Sequence, residues 1–401
     1  MAAVGSNSPI IGLMVNSFVG VSIGANVVIS NYTGQHNEKK ISEATHTAII
    51  LAVVCGLLIT CIGQLIARPM VEILGTPKEI APMAIKYLRI YFSGTPFIML
   101  YNFESAIFRS QGDTRTPLIC LFISGIINVI LNLVFVVGLH IDVAGVALAT
   151  VIANVVSSSL LFLLLCRSKG AIRLQREKFQ VNRAILESIL RIGIPSGLQS
   201  SVFSISNLVV QSAINSLGAD VVAGSSAAFN LEIIGYYILN SFGQAAVTFV
   251  GQNYGAGNLK RCRQITKQVL LLDELFTVIV AVVLILSGRE LLMLFNGDPV
   301  VIHYGYIRVF TLLSTEVLNV VIEVLSGAMR GYGSSMVPAV VTFVGICGVR
   351  ILWVYTVFSQ WHTWGVLMAV YPASWLVTML VMIFAYFREV RKIGARGMAQ
   401  A

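Results

Sequence analysis

The chain has 401 residues, 56% hydrophobic and only 11% charged, with a formal net charge of +9. A soluble globular domain carries roughly 25% charged residues, so this chain has too few to cover a water-facing surface and reads as a polytopic membrane protein. Excess Lys and Arg in such a protein marks its cytoplasmic loops, so nucleic acid is not an expected partner.

A helix needs about 20 apolar residues to span a bilayer. Eleven such runs follow one another, at 9–30, 44–67, 83–108, 118–139, 144–166, 195–217, 227–250, 268–286, 306–328, 338–358 and 364–387. They are long and lack the period-two alternation of barrel strands, so the expected class is an all-α integral membrane fold. Five runs precede and six follow a stretch crowded with Arg167, Lys169, Arg173, Arg176, Lys178, Arg183 and Arg191. The chain therefore divides into an N-lobe at 1–166, a basic linker at 167–193, a C-lobe at 194–388 and a tail at 389–401. Twenty Lys and Arg fall in the linker, its alternate loops and the tail; six fall opposite, Arg308 among them, and Arg350 alone lies in a span. That bias predicts a multi-pass protein of the cytoplasmic membrane with its linker and C-terminus inside. The six cysteines are scattered without a C-x-x-C pair, so neither a disulfide framework nor a metal site is expected.

The halves are related. At an offset of 221 residues Arg109 falls on Arg330, Gly112 on Gly333, Pro117 on Pro338 and Gly34 on Gly255. FRSQGDTRTP aligns with MRGYGSSMVP, and ILGTP with LFNGDP after a one-residue slip. Each phrase puts Gly or Pro just past a helix end, and the shared offset favours duplication over ordinary loop chemistry. Both copies keep one cytoplasmic side, so the predicted fold is two homologous bundles, five visible helices and six, related by a pseudo-two-fold along the membrane normal. The run 195–217 has no partner in the first half, and the start AVGSNSP lines up with VAGSSAA. A helix upstream of Met1 is the expectation, with a real short variant as the alternative.

An ionisable residue inside a span is a functional hypothesis by default. Glu316 and Glu323 sit two turns apart on one helix face, as candidates for proton or cation coupling or as a structural pair held by Arg350. Glu104, five residues before Arg109, reads as an end cap or lobe clasp, and Arg350 as a lock between helices. Asp273 and Glu274 lie near a helix end and read as solvated; Glu232 reads as hydrated at an outer end. Ser200, Ser204, Asn207, Gln211 and Asn215 recur on one helical face, as do Asn230, Tyr237, Ser241, Gln244 and Thr248 on the next helix. These stripes suit a hydrated wall, which makes Ser204, Asn207, Gln211, Tyr237, Ser241 and Gln244 substrate-cavity candidates; interhelical hydrogen bonding is the alternative. Tyr236 and Tyr237 could stack on a flat cation or simply pack. The five His lie in loops or near helix ends, and no GxxxxGK[ST] is present, so no buried His relay, ATP-driven step or enzyme is expected.

Taken together, GANVVISNYTGQ, FVGQNYGAGN, NFESAIFRSQGDTRTPL, NVILNLVFVVGLHIDVAGVALAT, GIPSGLQSSVFSISNLVVQSAINSLGADVVAG and EVLSGAMRGYGSSMVP resemble the multidrug and toxic compound extrusion (MATE) family. The resemblance covers essentially the whole chain and is strongest to the bacterial branch related to the DNA-damage-inducible proteins. It implies twelve helices in two six-helix lobes around a central cavity, and export of organic, often cationic compounds in exchange for Na⁺ or H⁺ by alternating access. It implies no cofactor beyond that ion, small organic substrates and the bilayer as partners, and a monomer. The branch's N-lobe cation site uses a carboxylate on the first helix with a cluster matched here by Asn128, Asn132 and Thr150. Asn132 stands where many relatives have Asp, and the first helix is not seen. The other branch's carboxylate position holds Phe203. Two other readings stay open. A flippase or exporter of lipid-linked sugars from the same superfamily would want basic residues in its cavity, and a non-transporting degenerate protein would have no use for duplicated lobes.

Overall fold

A computed structural model describes residues 8–73 and 81–400. Its helices are α1 Ser8–Gly34, α2 Glu38–Ile73, α3 Ala81–Ser93, α4 Thr95–Ser110, α5 Arg115–Gly138, α6 Asp142–Arg167 and α7 Arg183–Asn215, then α8 Ala219–Gly255, α9 Leu259–Leu286, α10 Gly288–Met293, α11 Pro299–Gly331, α12 Met336–Phe358, α13 Trp364–Met368 and α14 Val370–Gln400. Nine spans among the described residues are long and apolar enough to cross a membrane. Two further expected runs behave differently. The run 195–217 lies inside α7, and 83–108 breaks at Gly94 into α3 and α4. Pro96 explains that break, because it sits in the first turn of α4, where its missing N–H is no loss. Pro372 sits likewise in the first turn of α14, which separates α13 from α14 within the run 364–387.

Contacts divide the chain into two compact units, Met1–Ser201 and Val202–Ala401, a boundary that falls within α7. In the first, α2 and α4 pack on α1, and α6 covers α3 and α4. In the second, α8 and α11 form the most extensive contact, with α9 against both and α14 against α11.

The duplication is visible in the backbone. Gly112 and Gly333 hold φ of +84° and +83°, each closing a long helix. Both use one motif: Asp113 N–H donates to Phe108 O at 3.1 Å, and Ser334 N–H to Met329 O at 2.9 Å. A π-helical turn begins at Leu133 and another at Val354, again 221 residues apart. His36 (φ +52°) matches Gly257 (φ +74°), so one copy fills with a side chain a left-handed position that the other leaves to glycine. Residues 74–77 of the ILGTP phrase and 3–7 of AVGSNSP lie outside the described residues.

The basic linker is tied to α2 by a histidine. Contrary to the expectation that every His sits in a loop or at a helix end, His46 is fully buried. Its Nδ1 lies 2.7 Å from Ser42 O, and Gln175 N–H donates to its Nε2 at 3.0 Å. The ring meets the edge of Phe179 at 5.1 Å. Beside it, Asn182 donates to Glu43 at 2.8 Å, while its Oδ1 caps α7 by accepting from Ala184 N–H at 3.1 Å. His46→Leu strands the buried Gln175 N–H, a loss of about 1–3 kcal/mol. Trypsin cleavage of the linker in purified protein is expected to rise about tenfold; an unchanged cleavage rate would show that the linker is held elsewhere.

Candidate functional site

The candidate site lies inside the second unit, and α11 organises it. Asp298 caps that helix, accepting from Val300 N–H at 2.8 Å, and Pro299 fits the first turn. The helix therefore starts well before the expected 306 and runs to Gly331, past the expected 328. The C-terminal extension brings Arg330 in, and the earlier start seats Arg308, already inside the expected run, nine residues into the helix, so Arg350 is not the only cation in a span. Arg308, counted with an outer loop, and Arg330 are both buried in α11.

Each arginine has a defined set of partners. Arg308 grips Glu232 of α8 with both prongs, Nε to Oε1 at 2.6 Å and Nη2 to Oε2 at 2.9 Å, and also donates to Ser225. Glu232 is thus ion-paired rather than merely hydrated. Arg330 lies 3.7 Å from Glu323, one face and two turns away on the same helix. Arg350 of α12 donates to Asn207 Oδ1 at 2.9 Å and to Ser374 Oγ at 3.2 Å, so it joins α7, α12 and α14 through neutral oxygens. The face of Tyr371 lies against Arg350 at 4.5 Å and Arg308 at 5.8 Å.

Among the described residues of this unit, two buried carboxylates have no contact ion pair. Glu316 is 6% exposed and accepts a hydrogen bond from Asn319 Nδ2 at 3.1 Å; Arg350 and Glu232 act on it electrostatically. Asp273 of α9 is not solvated, as its place near a helix end suggested, but 0% exposed. The helix α9 begins at Leu259, nine residues earlier than expected, which carries Asp273 into the packed interior. Thr277 Oγ1 donates to its Oδ1 at 3.2 Å, and its Oδ2 has no hydrogen-bond partner. Glu316 and Glu323 are therefore on one face as expected, but Arg350 does not clasp them as a pair.

The polar stripes keep open faces. Asn207, Gln211 and Asn215 are exposed along α7, with Gln211 donating to Asn215 at 2.9 Å, while Ser204 is half-buried. On α8, Tyr237 is 62% exposed and tilted against Tyr236 with rings 6.0 Å apart. Ser241 is exposed and donates to Tyr237 O, whereas Gln244 is half-buried with an unpartnered buried Oε1. Apart from the Asn207–Arg350 bond, these donors mostly turn back on their own helix.

The first unit assembles less. Asn132 donates to Asn128 O at 3.0 Å and Asn128 Oδ1 at 3.1 Å, and Thr150 donates to Val146 O at 3.0 Å. The three do not bond to one another across α5 and α6. Glu104 caps no helix end, because it is fully buried and neither carboxylate oxygen has a hydrogen-bond partner. Five residues turn it roughly 140° around α4 from Arg109, whereas the seven between Glu323 and Arg330 put those two in line. Sequence reasoning missed Arg308 and dismissed Asp273. The Asp298-Pro299 start signal, read as such, would have recovered the first.

The family model described as MatE matches residues 1–134 and 195–356, well over half the chain. The chain belongs to the MatE family. Among its relatives, a probable multidrug resistance protein, YoeA of Bacillus subtilis (strain 168), is 24% identical, over 98% of this chain and 86% of the relative. The probable multidrug resistance protein NorM of Thermotoga maritima is 26% identical, over 88% and 76%. A crystal structure of a MATE protein in the bent conformation superimposes with a TM-score of 0.89 at 21% identity, over 99% of this chain and 89% of the other, which fixes the fold as that of MATE transporters.

Proposed function

We propose that this MATE transporter is a monomeric secondary antiporter. It exports small organic compounds, cationic and amphiphilic, across the plasma membrane in exchange for Na⁺ or H⁺, its halves alternating access with linker and C-terminus in the cytoplasm. Relatives named for multidrug resistance support export. The observation that carries coupling is Glu316, a carboxylate buried in the second unit with Asn319 as its hydrogen-bond donor and no contact cation. Such a group binds a cation or proton at a gain that a paired carboxylate lacks. Glu323, paired with Arg330, is the second coupling candidate; Asn128, Asn132 and Thr150 form the weaker one in the first unit. The open stripes containing Ser204, Asn207, Gln211, Tyr237, Ser241 and Gln244 are the substrate-contact candidates. A flippase of lipid-linked sugars is disfavoured because Arg308 and Arg330 face carboxylates and Arg350 is held by Asn207 and Ser374.

Ethidium efflux from cells expressing the chain tests this reading. Glu316→Gln, at wild-type abundance in the membrane, is expected to cut efflux at least about tenfold. Undiminished efflux in that variant would remove Glu316 from coupling and the reading with it.

A further inference from the structure

We propose that the outer face of the linker, carrying Lys169, Arg173, Arg176, Lys178 and Arg183, is a binding surface for anionic phospholipid headgroups of the cytoplasmic leaflet. The surface stands on the linker's own geometry; the choice of leaflet rests on the orientation adopted in the antiporter reading.

The linker is a strap fixed at both ends, not a free tether. Just past α6 it buries Ile172 and Leu174, while Arg173 between them is exposed. Leu174 N–H donates to Leu165 O at 3.3 Å, which ties the strap back to the last turn of α6. Further on, Gln175 N–H donates to the buried His46, and Asn182 N–H donates to Thr47 Oγ1 at 3.2 Å. Between those two anchors the 3-10 turn Arg176–Lys178 packs on α2 with both its basic side chains exposed. A charged surface held in place before its ligand arrives avoids most of the ordering cost of binding.

Charge, depth and apolar content together select a phospholipid. Residues 167–191 hold seven basic side chains against two acidic ones, Glu177 and Glu187. Among the described residues none of the five basic side chains of the surface makes a contact ion pair, so the protein leaves their charge uncompensated. The depth is that of a headgroup layer. The apolar run of α6 ends at Cys166, one residue before Arg167, and that of α7 opens only at Pro195. In between, the first turns of α7 bury Ile185, Ile189 and Ile192 and expose Arg183, Glu187 and Arg191, the pattern of a helix start lying in the interface. Phe179 and Val181 are exposed among the charges. A soluble anion has no use for those two side chains, whereas the acyl region below a headgroup takes them in. Basic residues clustered immediately beside a spanning helix are attracted to the anionic lipids of a leaflet.

The full chain in dodecyl maltoside, with a bimane probe on Gln180→Cys in the linker, reads the binding as the difference from the unsubstituted chain labelled alike. Phosphatidylglycerol is expected to shift the probe's emission, and phosphatidylcholine at the same mole fraction to leave it unmoved. Added NaCl should weaken the shift, because the attraction is between exposed charges. Arg173→Gln/Arg176→Gln should raise the phosphatidylglycerol needed for half the shift about twentyfold, at about fivefold for each basic side chain near an anionic surface. Lys86→Gln/Arg89→Gln, which removes two exposed charges from α3, should stay within about twofold of wild type. An equal response to phosphatidylcholine, an unchanged linker variant, or an equal loss in the α3 variant overturns the surface. Inorganic phosphate giving the same shift at matched concentration overturns the lipid as its partner. Trypsin reads the leaflet: the linker should be cut in inside-out vesicles and spared in spheroplasts. Cutting in spheroplasts alone overturns the cytoplasmic assignment, together with the orientation in the antiporter reading. Phosphatidylglycerol binding by a chain that exports no ethidium supports the surface and counts against the antiporter reading alone.

Discussion

Arg308→Leu is expected to destabilise the protein by about 3–5 kcal/mol, because it leaves the Glu232 carboxylate buried without its counter-charge. The pair is bidentate, with both side chains nearly closed off from solvent, at 6% and 11% exposure. Geometry of that kind has given up most of its hydration, so the partner left behind cannot regain it without disrupting α8 against α11. Glu232→Leu should cost a comparable amount from the other side, stranding a guanidinium whose remaining contacts are Ser225 and the face of Tyr371. The double variant Glu232→Leu/Arg308→Leu should recover most of the loss, since replacing both charges by apolar groups removes the desolvation problem altogether. Thermal unfolding of the purified protein in detergent reads all three. A double variant that melts as low as the singles would mean the pair contributes its full Coulomb attraction and not merely mutual cancellation. A single variant that melts with wild type would mean Glu232 reaches water once unpaired.

That pair also shows where sequence reading stops. Hydrophobic runs longer than a bilayer, separated by Gly and Pro, made the class, the helices and the duplication legible, because bilayer thickness fixes run length and helix stops have few chemical solutions. Hydropathy alone places helix ends poorly. A helix extends beyond its apolar run when a cap is present, and Asp298-Pro299 extends α11 by seven residues, so that Arg308, two residues from the expected start and counted there with the outer loop, lies nine residues inside the helix as a buried partner. Partner choice is not legible at all from one strand of sequence. The spacing of seven put Glu316 and Glu323 on one face, but their partners, Asn319 and Arg330, lie on the same helix, and the Arg350 expected to hold them bonds instead to Asn207 and Ser374. His46 was invisible for the same reason: what makes it interior is a linker 129 residues away that folds back over it.

Gly327→Ala, a change of one methyl, is expected to destabilise the second unit by about 3 kcal/mol, at the upper end of what overpacking costs. The helices α8 and α11 touch backbone to backbone at three levels, through Gly224 with Gly305, Gly243 with Gly327, and Gly251 with Gly331. Helix association in a bilayer gains little from hydrophobicity and relies on such close approach. A Cβ on Gly327 would press into the Gly243 carbonyl, with its carbon at 3.2 Å, and a main chain cannot swing aside as a side chain can. The first unit supplies the control. At the repeat offset Gly243 and Gly251 become Ser22 and Ser30, and Gly327 and Gly331 become Ala106 and Ser110, all four fully or almost fully buried. That interface is already spaced for a Cβ, so Ala106→Gly should cost only about 1 kcal/mol, the helix-propensity penalty of glycine. The asymmetry between two aligned positions, read as melting temperatures, is the test; equal shifts would show that the interfaces are spaced alike. The same geometry ties packing to chemistry, because a Cβ on Gly243 would lie 2.9 Å from Glu323 Cγ. A methyl there pushes Glu323 along α11 relative to Arg330, so Gly243→Ala should lower ethidium efflux in protein that still folds, the outcome expected where a tight helix contact positions a coupling carboxylate.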